Sequence, residues 1–179
     1  GRTEVFDTPE AMPVNVNFAD NNEETSADIL VVTAGNGGEL GREAAQKDKE
    51  LFKSFITYHV ENTPGFNGKT GETLTLTTPP GTPYKRVIVL GTGVGSSMNE
   101  FVLENALGGS LAKAIRDTGF NSANVIIDGY NAPNMSKARI AAHLANGVIG
   151  KNYSFDKHKN TVPNNTPQIT FAVPDSAAA

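Results

Sequence analysis

The chain has 179 residues, with 15 Lys and Arg against 19 Asp and Glu, giving a formal net charge of −4. A chain of this length buries a sizeable core without covalent staples, and the absence of cysteine excludes disulfides, a thiolate zinc site and a thiol nucleophile. No apolar run approaches the roughly 20 residues of a membrane span, so no membrane association is expected, and the acidic balance without a Lys/Arg cluster argues against nucleic acid as a partner.

In chain order, residues 1–12 read as an irregular N-terminal edge, residues 13–174 as a single α/β domain and residues 175–179 as a small-residue tail. Val14, Val16 and Phe18 alternate with asparagines, which predicts a strand. Asp28 to Thr33 is a continuous apolar run ended by Gly35-Asn36-Gly37-Gly38, the pattern of a strand covered on both faces. From Gly41 to about His59 the apolar spacing lengthens to roughly 3.6 residues and predicts a helix. Pro64-Gly65 and Asn67-Gly68 mark turns. Thr73 to Thr77 alternates as a strand, and Arg86 to Leu90 is a second buried-type strand running into Gly91-Thr92-Gly93-Val94-Gly95-Ser96-Ser97.

A helix is expected from about Asn99 to Thr118, stopped by Gly119. Gly108-Gly109 inside it costs about 1 kcal/mol per glycine relative to alanine, and close packing of another backbone is the simplest compensation. Asn124 to Asp128 predicts a strand, Ser136 caps a helix through Gly147, and Gln168 to Val173 supplies a last strand. These elements imply a three-layer α/β fold with a mixed central sheet flanked by helices.

Two glycine-rich segments follow buried strands and are the candidate ligand loops. Asn36 and Gly37 lie in one, and Gly91, Gly93, Gly95 and Ser96 in the other. Such turns aim backbone N–H groups and a positive helix end at an anion, but the second lacks both the G-x-G-x-x-G spacing and the lysine of a Walker motif. The competing reading is that the glycines only permit tight turns. Asp128, closing a strand, is the carboxylate best placed for function, with capping of the turn after it as the simpler role. His59, His143 and His158 have no metal-ligand spacing, Asp156-Lys157-His158-Lys159 reads as a solvated turn, and no serine sits in G-x-S-x-G. No catalytic and no metal-binding residue is assigned.

Several segments, in order, resemble the N-terminal domain of the cytosolic leucyl aminopeptidase family. Phe66-Asn67-Gly68-Lys69-Thr70-Gly71-Glu72 is similar to the family's F-x-G-K-x-G-E turn, and Lys85 to Gly93 to its strand and glycine turn. Ala141 to Gly147 followed by Tyr153-Ser154-Phe155-Asp156-Lys157-His158-Lys159 is similar to its helix and Y-x-F-D-x-Y-K segment, with His158 in place of the usual Tyr. The resemblance implies a macro-domain-like fold, cytoplasmic location, and an accessory domain whose parent removes N-terminal residues from peptides. It also implies a C-terminal catalytic domain carrying two divalent metals, Zn or Mn, with N-T-D-A-E-G-R absent from this chain, and a homohexameric full-length form. No cofactor is implied for the chain itself, which is then an excised or truncated part. A different expectation is a free-standing macro-domain-like module that holds a nucleotide such as ADP-ribose between the Asn36 and Gly93 loops.

Overall fold

The computed structural model describes residues 2–6, 14–20, 26–128, 135–150 and 167–173. Strand β1 (Arg2–Phe6) precedes β2 (Val14–Asp20), β3 (Ile29–Gly35) and the two-residue β4 (Glu39–Leu40). Helices α1 (Arg42–Phe52) and α2 (Phe55–Glu61) follow, then β5 (Thr73–Thr77) and β6 (Arg86–Gly93). A π-helical segment, Val102–Leu107, runs directly into α3 (Gly108–Thr118), and β7 (Ser122–Ile126), α4 (Lys137–Gly150) and β8 (Gln168–Val173) complete the order. The sheet order is β1-β2-β8-β7-β3-β6-β5, with β4 paired to β3. The inner pairs are parallel, while β1 on β2 and β5 on β6 are antiparallel.

The three layers follow from residue alternation in β3 and β6. Ile29, Val31, Ile88 and Leu90 join a core with Leu103, Leu107, Leu111 and Ile115 and with Ile140, Leu144 and Val148 of α4. Leu30, Val32, Val87 and Val89 face the other way, onto Ala44, Phe52, Ile56, Val60 and Phe66. Strands that carry near-continuous apolar runs are buried on both faces, as these are.

Four local expectations are corrected. Arg2–Phe6 pairs as a strand where an irregular edge is expected, and β6 continues through Gly91 and Gly93, so the supposed loop is partly sheet. The helix is opened by a π-helical segment that apolar spacing does not reveal. The single helix expected from Gly41 to His59 is two, broken at Lys53 and Ser54, which take left-handed φ of 54° and 68°. The break is built by Asp48, 1% exposed. Its carboxylate accepts from the N–H groups of Ile56 at 2.8 Å and Thr57 at 2.9 Å and from the Thr57 hydroxyl at 2.7 Å. The apolar period continues across the break, so spacing alone does not reveal it.

Asp48→Ala strands the first amides of α2 without their acceptor, and a loss of about 2–3 kcal/mol is expected in urea denaturation. A loss below about 0.5 kcal/mol would mean that the Lys53–Ser54 turn holds itself.

Candidate functional site

The two glycine segments do converge, because β3 and β6 are adjacent parallel strands and both end at the same edge. The Asn36 N–H donates to the Gly93 carbonyl at 3.1 Å. What lies between them is the chain's own turn at residues 67–71. The Gly37 N–H donates to the Asn67 carbonyl at 2.7 Å, the Gly93 N–H to Gly68 at 2.8 Å and the Gly91 N–H to Glu72 at 2.7 Å. Four of the six candidate residues thus have their amides engaged with backbone.

The turn itself is held by Glu72, whose Oε1 accepts from the N–H groups of Asn67 at 3.0 Å and Lys69 at 2.9 Å. These two bonds hold the Glu72 carboxyl below its ordinary pKa, the Asn67 bond contributing most. Tight apposition explains the glycines. A Cβ on Gly91 would lie 2.2 Å from the Lys69 carbonyl oxygen, and one on Gly93 2.2 Å from Thr70 Oγ1.

Gly95 and Ser96 belong to a single 3-10 turn, Gly95–Ser97, whose following amide, that of Met98, returns to the Gly95 carbonyl at 3.1 Å. The helix after it is capped from within: the Val102 N–H donates to Asn99 Oδ1 at 2.9 Å. Glu100 adds a negative charge at this end and pairs with Arg139 at 2.6 Å. An end already capped and bearing an acid attracts an anion less than a bare one does.

Asp128 is 2% exposed and caps a helix distant in sequence. The Ala44 N–H in the first turn of α1 donates to its Oδ2 at 3.0 Å, supplying the acceptor that Gly41 at the N-cap lacks. The residues expected to receive a cap, 129–134, lie outside those described. Asp128 Oδ1 is buried and has no hydrogen-bond partner among the described residues. Desolvation raises the pKa of this carboxyl, opposed by the Ala44 N–H and by Lys137.

A carboxyl with a pKa raised by folding holds its proton more tightly folded than unfolded. Its contribution is therefore fully present below the unfolded value of 3.8 and lost as pH rises through the folded one. Asp128→Asn is expected to gain stability relative to the wild type across that window in urea titrations at a series of pH values. A difference independent of pH would show that folding leaves this carboxyl unshifted.

The histidines have separate surroundings. His59 packs on Phe55, with ring centroids 4.4 Å apart. His143 Nδ1 lies 2.7 Å from Glu104 Oε2 across the helix crossing. His158, like Asp156, lies outside the described residues. Among the described residues no three His, Cys, Asp or Glu side chains gather as a metal site, and no helix is long and apolar enough to cross a membrane. Sequence reasoning missed Asp48, whose only signal is a carboxylate a few residues from a helix start, and placed Glu72 in the F-x-G-K-x-G-E turn without its capping role.

Residues 31–161 match the cytosol aminopeptidase family, N-terminal domain. A probable cytosol aminopeptidase of Rhodopseudomonas palustris is 34% identical over 122 residues, which are 65% of this chain and 24% of that protein. One from Rhizobium etli is 31% identical over 158 residues, 84% of this chain and 29% of that protein. The chain thus spans about a quarter of the length of these relatives.

Among solved structures, tomato leucine aminopeptidase superposes with a TM-score of 0.67 at 17% identity, covering 96% of this chain and 35% of that one. The macrodomain of Mycobacterium tuberculosis DarG gives 0.61 at 13% identity, covering 87% and 97%. An Oceanobacillus iheyensis macrodomain solved with ADP gives 0.66 at 11% identity, covering 97% and 89%. At these identities the likeness establishes the macrodomain-like fold. By the match over residues 31–161, this chain belongs to the cytosol aminopeptidase family as its N-terminal domain.

Proposed function

We propose that this domain is the accessory, non-catalytic part of an aminopeptidase whose full-length form removes N-terminal residues from peptides. In this reading it contributes to assembly, to access to the active site, or to partner binding in the intact enzyme. The observation that carries this reading is the filled crevice: the amides of Gly37, Gly91 and Gly93 hold the chain's own 67–72 segment. Seating this segment is a role for these glycines that needs no chemistry, which supports the reading. The catalytic partner is the C-terminal domain of the same protein, and the reading includes a homohexameric assembly in the cytosol. The two divalent metals, Zn or Mn, belong in it to that other domain, and no ligand or reaction step is assigned to residues of this chain.

The test is release of a chromogenic amine from a leucyl amide, with added Mn²⁺ or Zn²⁺, by this chain and by the full-length parent. Activity in the parent alone is the expected result. Activity in this chain, or silence in both, overturns the reading. The second reading, a module that holds ADP-ribose, draws on the fold shared with the macrodomain solved with ADP. It requires the Asn36 and Gly93 loops to release amides that already have acceptors, which costs about 1–3 kcal/mol for each one left unpaired. Saturable calorimetric binding of ADP-ribose at high micromolar concentration would favour it.

A further inference from the structure

A cavity of about 470 Å³ opens between α1 and the sheet face formed by β2, β8, β7 and β3. None of the candidate glycine-loop residues lines it, whereas Tyr84, just before β6, does. Its size falls within the roughly 300–1,000 Å³ of small-ligand sites. Leu30 and Ile126 form an apolar floor and Leu51 a wall. Polar atoms interrupt this surface at two places: the buried Thr170, and Asn124, whose Nδ2 donates to the Tyr84 hydroxyl at 2.9 Å.

Helix α1 contributes two half-buried charges to the same cavity, Glu43 and Lys47. Among the described residues neither its carboxylate nor its ammonium is in an ion pair or side-chain hydrogen bond. The two charges lie one helical turn apart on the same face without closing into an ion pair, so each keeps room for a complement of its own. Two of opposite sign, beside an apolar floor, suit a ligand that brings both complements and an apolar body.

The spacing selects among such ligands. Side chains running parallel from positions four apart on a helix carry their charges about 6 Å apart, the axial rise at 1.5 Å per residue. In a free amino acid the ammonium nitrogen and carboxylate carbon lie only about 2.5 Å apart. In an extended dipeptide one Cα–Cα step of about 3.8 Å plus a bond at each end separates them by about 6–7 Å. A third residue adds a further step of about 3.8 Å and overshoots.

We propose that this cavity binds a zwitterionic dipeptide with apolar side chains. Its ammonium lies at Glu43 and its carboxylate at Lys47, with the side chains on Leu30, Ile126 and Leu51 and the peptide group beside Asn124 and Thr170. Stepwise removal of N-terminal residues leaves dipeptides, which links the site to the proposed function, but binding rests on the cavity alone.

Calorimetric titration of this chain with Leu-Ala, N-acetyl-Leu-Ala and Leu-Ala amide tests it. Saturable binding of the free dipeptide is expected, weakened at least about tenfold by either cap. Lys47→Gln is expected to erase the preference for a free carboxylate, and Glu43→Gln the preference for a free ammonium, with far-ultraviolet circular dichroism unchanged in both. No saturable binding up to about 10 mM, equal binding of capped and free peptides, or preferences unaltered in both variants would overturn the proposal. None of these outcomes bears on leucyl amide hydrolysis by the parent, so this inference and the proposed function fail separately.

Discussion

Gly68→Ala is expected to destabilise the domain by at least about 4 kcal/mol, read as the shift in urea midpoint at constant slope, or to prevent folding altogether. Two independent costs add at this position. Gly68 has φ of 71°, where an L side chain is strained by roughly 1 kcal/mol. Its added Cβ would lie 2.0 Å from the Gly35 carbonyl oxygen and 2.9 Å from the Gly35 carbonyl carbon. Gly35 ends β3, and the Gly38 N–H donates to that same carbonyl at 2.9 Å, so the obstacle is backbone held on both sides.

Gly91→Ala separates the two costs. Its φ is not left-handed, yet its Cβ would meet the Lys69 carbonyl oxygen at 2.2 Å, so a loss of about 3 kcal/mol is expected from contact alone. At Gly65 nothing lies within 4 Å of an added Cβ, and Gly65→Ala should change stability by less than about 0.5 kcal/mol. If Gly68→Ala cost only about 1 kcal/mol, the turn at residues 67–71 would not be seated in the crevice. The amides of Gly37 and Gly93 would then be open to a ligand.

The sequence was most legible where burial fixes a period. β3, β5, β6 and β8 fall where apolar runs or alternation put them, and Gly119 ends α3 with φ of 80°, as a helix-stopping glycine should. Asp48 was illegible because a carboxylate that breaks a helix looks, in sequence, like one of the solvated charges on its outer face. Asp128 was legible as important, whereas its bond to the Ala44 N–H, 84 residues away in sequence, leaves no local signal.

The glycine loops illustrate a deeper limit. A phosphate cradle and a seat for another stretch of backbone both require glycine, and for the same reason: backbone N–H groups must be approached closely. Only the fold says which chain arrives. Two of the family motifs resolve into the two sides of one contact, with Gly68, Gly71 and Glu72 shaping the turn and Gly91 and Gly93 receiving it.

The second glycine contact carries the other large effect. Gly147→Ala is expected to cost about 3–4 kcal/mol, even though alanine is intrinsically favoured in a helix by about 1 kcal/mol. An added Cβ would lie 2.2 Å from the Glu104 carbonyl oxygen and 2.7 Å from both its carbonyl carbon and Cα. Gly108 faces the same crossing, its Cβ position 2.6 Å from the Gly147 Cα.

Neither helix can withdraw freely, since Leu103, Leu107, Leu144 and Val148 are fully buried between them and the sheet. Gly108→Ala and Gly147→Ala force the same separation, so the double variant should cost clearly less than the sum of the two. The separation has its own signature. His143, one turn before Gly147, lies 2.7 Å from the Glu104 carboxylate across the crossing, and pushing α4 outward lengthens that contact. A change in the His143 ring resonances should therefore accompany the loss of stability. Full stability with an unchanged His143 spectrum would mean that the helices are not packed backbone to backbone at Gly108 and Gly147.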